Sequence, residues 1–214
     1  MDESCPTPTE GSYPGDCEFT QALLKKAAAR TASNRGYAWK NCLPIAKKVK
    51  LLLLDVDGVL TDGSITYSDE GIELKTFNSK DGFGLNLLRK AGVEVGIITA
   101  RTSTALVRRC QDLKIDHLYQ GRRNKVETYQ EVIAELGLTS EEVAYMGDDW
   151  LDLPLLAKVG FAATVADAVP ELKDVVDFTS RFNGGQGGVR EVCDLIIDAK
   201  GMYEKLLSEY LERS

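Results

Sequence analysis

The run Lys50-Leu51-Leu52-Leu53-Leu54-Asp55-Val56-Asp57-Gly58 constrains the fold more than any other part of the chain. Four consecutive leucines bounded by charge suit a strand buried on both faces, and such strands belong to parallel sheets covered by helices on each side. The acids that end the run then sit at the carboxyl edge of a central strand, where open α/β sheets bind ligands.

The rest of the chain repeats the same theme. Helices are predicted at about 81–91, 102–113, 123–136, 150–157 and 187–199. Strands are predicted between them at 93–98, 117–119, 142–146 and 160–164. This alternation predicts an α/β, Rossmann-like three-layer fold with a mostly parallel sheet. One segment departs from it. Ser64–Phe77 carries two β-rich arms around Ser68-Asp69-Glu70-Gly71, a good hairpin turn.

Residues 1–42 read as an extension. Pro6, Pro8, Pro14, Gly11 and Gly15 mark residues 1–16 as a disordered leader. A short helix is predicted over 18–30, a loop through Ser33–Trp39, and a basic helix over 43–49. The main domain is expected at 43–200, with a charged helical tail over 201–214.

Four successive strand ends carry chemistry. The first offers Asp55 and Asp57, and a tight turn at Gly58 can splay them around one centre. The second offers Thr99, followed by Ala100 and Arg101, where a hydroxyl and backbone N–H groups at a helix entrance can cradle phosphate. Lys125 opens a later helix. The last strand end offers Asp148 and Asp149, with Asp152 one helical turn on. An isolated acid pair is usually a solvated loop and an isolated lysine usually a surface residue. Their joint placement at one sheet edge is hard to obtain by chance.

Crowded carboxylates require a cation. An all-oxygen donor set of Asp55, Asp57, Asp148, Asp149 and Asp152 points to Mg²⁺. Phosphoryl transfer then assigns the roles. Asp55 attacks phosphorus, Asp57 acts as general acid and base, and Thr99 and Lys125 bind phosphoryl oxygens. Asp57 offers the metal its backbone carbonyl, and Asp149 and Asp152 orient metal-bound waters or Lys125.

Composition excludes other classes. The formal net charge of −7 argues against a nucleic-acid backbone as partner. The longest apolar run, at 51–54, is too short to span a membrane, and no signal peptide is recognisable. Five cysteines (Cys5, Cys17, Cys42, Cys110 and Cys193) form no CxxC pair and read as reduced thiols of a cytoplasmic protein. His117, the single histidine, reads as structural. A phospho-acceptor receiver domain shares the Asp, Thr and Lys set but places its acceptor on a later strand.

DVDGVLTDG and YMGDDWLD resemble the first and last signature motifs of the haloacid dehalogenase superfamily of phosphatases, over about residues 45–198. Within it, ELKTFNSKDGFG, HLYQGRRNK, VAYMGDDWLDLP and GGQGGVREVCD are similar to the 3-deoxy-D-manno-octulosonate 8-phosphate phosphatases of lipopolysaccharide precursor synthesis. The acylneuraminate and deaminoneuraminate 9-phosphate phosphatases share much of the pattern. A non-catalytic tetramerisation or regulatory module of the same descent would have lost the nucleophile or the lysine, and both are kept. The chain departs at Ala100, where the family commonly has glycine, and at Gln186, which replaces a cation in a GGRG pattern.

Only 43 residues separate Asp55 from Thr99 and 22 separate Lys125 from Asp148, too few for a cap domain in either gap. The hairpin is expected in its place. The resemblance implies a homotetramer whose hairpins assemble and roof neighbouring sites. Arg101 is the leading candidate to pair with a substrate carboxylate, which favours the octulosonate over the neuraminates. Lys75, Lys80 and Arg190 are further substrate candidates.

Overall fold

The computed structural model describes residues 21–23, 25, 26 and 36–211. The expected leader over 1–16, Cys5 and Cys17 lie outside the described residues. Residues 21–23, 25 and 26 are helical.

Six parallel strands form the sheet: β1 (Leu51–Leu54), β4 (Glu94–Ile98), β5 (His117–Tyr119), β6 (Val143–Gly147), β7 (Phe161–Thr164) and β8 (Phe178–Thr179). Their order is β5-β4-β1-β6-β7-β8. β1 is therefore central, and the chain departs from it in both directions. Leu54 aligns with Ile97 of β4 and with Met146 of β6, so three strands end side by side.

Alternation along β1 divides the core in two. Leu52 and Leu54 join the larger cluster, under helices α1 (Tyr37–Ala46), α2 (Ser79–Lys90), α3 (Thr104–Leu113), α7 (Gly188–Ala199) and α8 (Tyr203–Leu211). Leu51 and Leu53 join the other, under α4 (Lys125–Leu136), α5 (Leu153–Leu156) and α6 (Pro170–Lys173). Three layers follow, as expected. Parallel strands carrying helices on both faces leave no solvated side, which is why β1 tolerates leucine at every position.

The helix ends show why the chain turns where it does. Asn78 caps α2 by accepting from the Lys80 N–H at 2.8 Å, and Asn124 caps α4 by accepting from Glu127. α7 has no side-chain cap of its own. The buried Asp81 of α2 substitutes, accepting from the N–H groups of Gly187 and Arg190.

Three expectations need correction. The segment read as a loop through Trp39 and a helix over 43–49 is one helix, α1, running through Pro44. Trp39 and Cys42 are buried in the main core. The Trp39 ring meets Phe178 edge-on at 6.1 Å, and its indole N–H donates to Asp198 at 2.9 Å. Packing thus begins before residue 43, because tertiary burial outweighs the loop signal of Ser33–Gly36. The helix expected over 150–157 is a 3-10 turn, Trp150–Asp152, followed by the short α5. Pro154 lacks the donor that a continuous helix would use. α6 and β8 escaped notice, each too short to show a period.

The hairpin is present as β2 (Thr66–Tyr67) and β3 (Glu73–Leu74), a separate antiparallel pair with Thr66 opposite Leu74. Gly71 takes φ +76° in the turn, a conformation glycine adopts without strain. Ile65, Tyr67, Ile72 and Leu74 are all exposed on this small element. No helix among the described residues is long and apolar enough to cross a membrane.

Candidate active site

β1 delivers Asp55 to the point where the strand order reverses. The Asp55 N–H still bonds to Met146 of β6 at 3.0 Å, so the nucleophile candidate is held at the last rung of the ladder. Beyond it the chain turns sharply, with Gly58 at φ +91°. A Cβ there would fall 2.0 Å from Asp148 Oδ2, so residue 58 must be glycine for the β6 carboxylate to approach. The Gly-rich loop supports this turn from behind. Gly185 N–H donates to Val59 at 2.9 Å, and a Cβ on Gly184 would lie 1.8 Å from the Gly58 carbonyl oxygen. Gln186 is exposed. The loop's glycines thus serve backbone contact with the Asp55–Gly63 turn.

Lys125 is buried at the first turn of α4. Its Nζ lies 3.0 Å from Asp55 Oδ1 and 2.6 Å from Asp152 Oδ1, and donates to the Tyr145 hydroxyl at 3.1 Å. The Tyr145 hydroxyl in turn donates to Asp152 at 2.5 Å. The second oxygen of Asp152 accepts from the N–H groups of Asp148 and Asp149. Asp152 thereby places both Lys125 and the Asp148 backbone. Burial opposes the charge on Lys125, but the Asp55 and Asp152 carboxylates outweigh it and leave its pKa raised.

Asp55, Asp148 and Asp152 each offer an oxygen, all within 4.8 Å of one another. Asp148 Oδ1 is buried without a hydrogen-bond partner. Burial, with the charges of Asp152, Asp55 and Asp149, pushes the Asp148 carboxyl up to about 8. Burial also raises Asp55, to about 6, against the pull of Lys125. An orphaned, proton-seeking oxygen among hard donors fits a divalent cation such as Mg²⁺.

Thr99, at the end of β4, is buried, and its hydroxyl accepts from the Arg101 N–H at 3.3 Å. Ala100 is not in a left-handed conformation: Lys114 is the one non-glycine residue with positive φ among those described. An alanine at position 100 is therefore unstrained.

Other expected site residues lie elsewhere. The Asp57 carboxylate is not part of the acid cluster; it pairs with Lys75 and lies 3.7 Å from Arg101 Nε. Asp149 is exposed, and its side chain caps the 3-10 turn through the Trp150 N–H at 2.7 Å. Arg101 turns to the hairpin, where it bonds Glu73 at 3.1 Å and the Tyr67 hydroxyl at 3.2 Å. Lys80 is exposed at the first turn of α2. Arg190 sits in the seam between α2 and α7, bonded to Asp194 at 2.8 Å with its guanidinium over Phe83. Tyr145 and Glu73 escaped the sequence reading. Tyr145 lies inside an apolar strand, where a tyrosine reads as core.

Comparison with known proteins identifies the family. The sequence profile of the haloacid dehalogenase-like hydrolases matches residues 117–192. The 3-deoxy-D-manno-octulosonate 8-phosphate phosphatase KdsC of Escherichia coli K12 is 42% identical over 182 residues, covering 85% of this chain and 97% of that protein. The crystal structure of the Yersinia pestis 3-deoxy-D-manno-octulosonate 8-phosphate phosphatase superposes with TM-score 0.75 at 44% identity, covering 76% of this chain and 88% of that one. The Moraxella catarrhalis enzyme, solved with a magnesium ion, a phosphate ion and a KDO molecule, gives TM-score 0.78 at 36% identity, covering 79% of this chain and 98% of that one. At this identity and coverage, the chain belongs to the 3-deoxy-D-manno-octulosonate 8-phosphate phosphatase family of haloacid dehalogenase-like hydrolases.

Proposed function

We propose that the chain hydrolyses 3-deoxy-D-manno-octulosonate 8-phosphate to the free sugar acid and phosphate through a phosphate ester on Asp55. The observation that carries this reading is Lys125, buried between Asp55 and Asp152 at the centre of the sheet edge. It neutralises the attacking carboxylate and leaves one Asp55 oxygen for phosphorus. Asp55 attacks in line, the P–O bond to the sugar breaks, and Asp57 protonates the departing alkoxide. Asp57 then takes a proton from water as that water attacks phosphorus, which frees phosphate and restores Asp55. The Thr99 hydroxyl and the Ala100 N–H line the phosphoryl oxygens. Asp55, Asp148 and the Asp57 carbonyl would hold Mg²⁺, which supplies positive charge for the transferring group.

Phosphate release from a panel of sugar phosphates tests this. The octulosonate 8-phosphate should be hydrolysed with Mg²⁺ and not after EDTA treatment. Preference for a neuraminate 9-phosphate would move the substrate, and full activity in EDTA would remove the metal.

We infer also that the hairpin assembles with copies of itself into a homotetramer. Exposed Tyr67 and Leu74 on two short strands with open edges, with exposed Ile65 and Ile72 beside them, support this. Ile65→Pro should yield a smaller species by light scattering and lose most activity on the sugar phosphate, because proline disrupts the strand that carries these side chains. A wild-type protein that is monomeric at micromolar concentration would overturn the assembly. A cytoplasmic location agrees with Cys42, Cys110 and Cys193, all free and buried.

A further inference from the structure

The inner face of the hairpin reaches the active-site turn of its own subunit. Along β3 the side chains alternate. Leu74 is 55% exposed, whereas Glu73 and Lys75 turn inward, and the Lys75 side chain is only 2% exposed. Lys75 Nζ bonds the Asp57 carboxylate and lies 3.1 Å from Glu73. Arg101 completes a group of two acids and two bases. It bonds Glu73, but its Nε is 3.7 Å from Asp57, buried and without a hydrogen-bond partner. Among these cations only Lys75 makes a hydrogen bond to Asp57.

A lysine stripped of water needs a fixed partner, so the pairing is a strong local constraint. Asp57 follows the last strand residue by three positions, on a turn with no ladder to orient its side chain. Its direction is set from outside, by the hairpin.

We propose that Lys75 is a positioning residue that holds the Asp57 carboxylate in place for proton transfer. The hairpin then has two faces with separate tasks: one turned outward with Thr66 and Leu74, and a charged one, with Glu73, Lys75 and the Tyr67 hydroxyl, that aligns the acid. Glu73 fixes Lys75 and Arg101 in turn. This rests on the reading of Asp57 as general acid, and the test separates the two.

The test is leaving-group dependence in the Mg²⁺-loaded, full-length protein. kcat/KM reports only steps up to formation of the Asp55 ester, where Asp57 donates its proton. Sugar phosphates expel an alkoxide that needs that proton, and p-nitrophenyl phosphate expels a stable phenolate that does not. Lys75→Met should lower kcat/KM on the octulosonate phosphate by about 10²-fold, the lower end of the range for lost acid help. It should lower it far less on p-nitrophenyl phosphate, and Lys75→Arg should recover part of the loss. Asp57→Asn should show the same selectivity more strongly. An equal fall on both substrates for Lys75→Met and Lys75→Arg would make the contact merely structural and overturn the proposal. A rise in KM for the sugar phosphate alone would assign Lys75 to the substrate carboxylate and overturn it likewise. If Asp57→Asn itself shows no leaving-group selectivity, the role of Asp57 fails and the proposal fails with it.

Discussion

Asp55→Asn is expected to lower phosphate release by roughly 10⁴- to 10⁶-fold, the scale seen when a covalent nucleophile is removed. The amide oxygen cannot form the ester, while its size and its place at the end of β1 are unchanged. The fold should therefore survive, with an unaltered far-ultraviolet spectrum. Asp57→Asn should cost less, roughly 10²- to 10⁴-fold, since attack by Asp55 remains possible without a proton donor. Near-normal release from Asp55→Asn would reject the covalent mechanism.

Lys125→Met should destabilise the fold strongly. It leaves the Asp55 and Asp152 carboxylates, 3.0 and 2.6 Å from the lost ammonium, facing each other without a cation. Removing one partner of a buried ion pair costs about 3–5 kcal/mol. The loss should depend on pH in a defined direction. Asp55 and Asp148 already have folded-state pKa values raised to about 6 and about 8. A carboxyl so raised binds more protons folded than unfolded, so stability falls as pH rises from the ordinary carboxylate value toward these values. The metal-free wild type should therefore be less stable to urea at about pH 8 than at about pH 5. Lys125→Met should steepen that trend, and Mg²⁺ should offset it in both proteins. A variant as stable as wild type at both pH values would show that Lys125 does not hold the cluster together.

The layered fold was legible because its signals are local and strong. A run of four leucines has few fates, and Asp55, Thr99 and Asp148 followed predicted strands while Lys125 opened a predicted helix, all at one edge. The structure brings Asp55, Lys125 and Asp148 together around Asp152. The failures had physical causes too. Trp39 sits in a stretch with loop-like neighbours, and its helix is fixed by Phe178 and Asp198, which lie far along the chain. Asp148 and Asp149 are adjacent in sequence, yet one faces the cluster and the other caps a turn. The difference is one residue of chain direction past a strand end, where alternation no longer applies.

Arg101 and Lys75 show the same limit in charge. As isolated cations beside a phosphate site, each read as a ligand for the substrate carboxylate. In the folded chain each meets an acid first, Glu73 and Asp57 respectively. The sequence by itself determined the sheet, the central place of β1 and the gathering of Asp55, Thr99, Lys125 and Asp148 at one edge of it, because strand period and helix entry are set within a few residues. Only the tertiary structure decided which carboxylate each cation meets, that Tyr145 joins Lys125 to Asp152, and that the hairpin reaches Asp57. Those pairings span 7 to 28 residues of sequence and are chosen by the geometry of burial, which removes water as a competing partner.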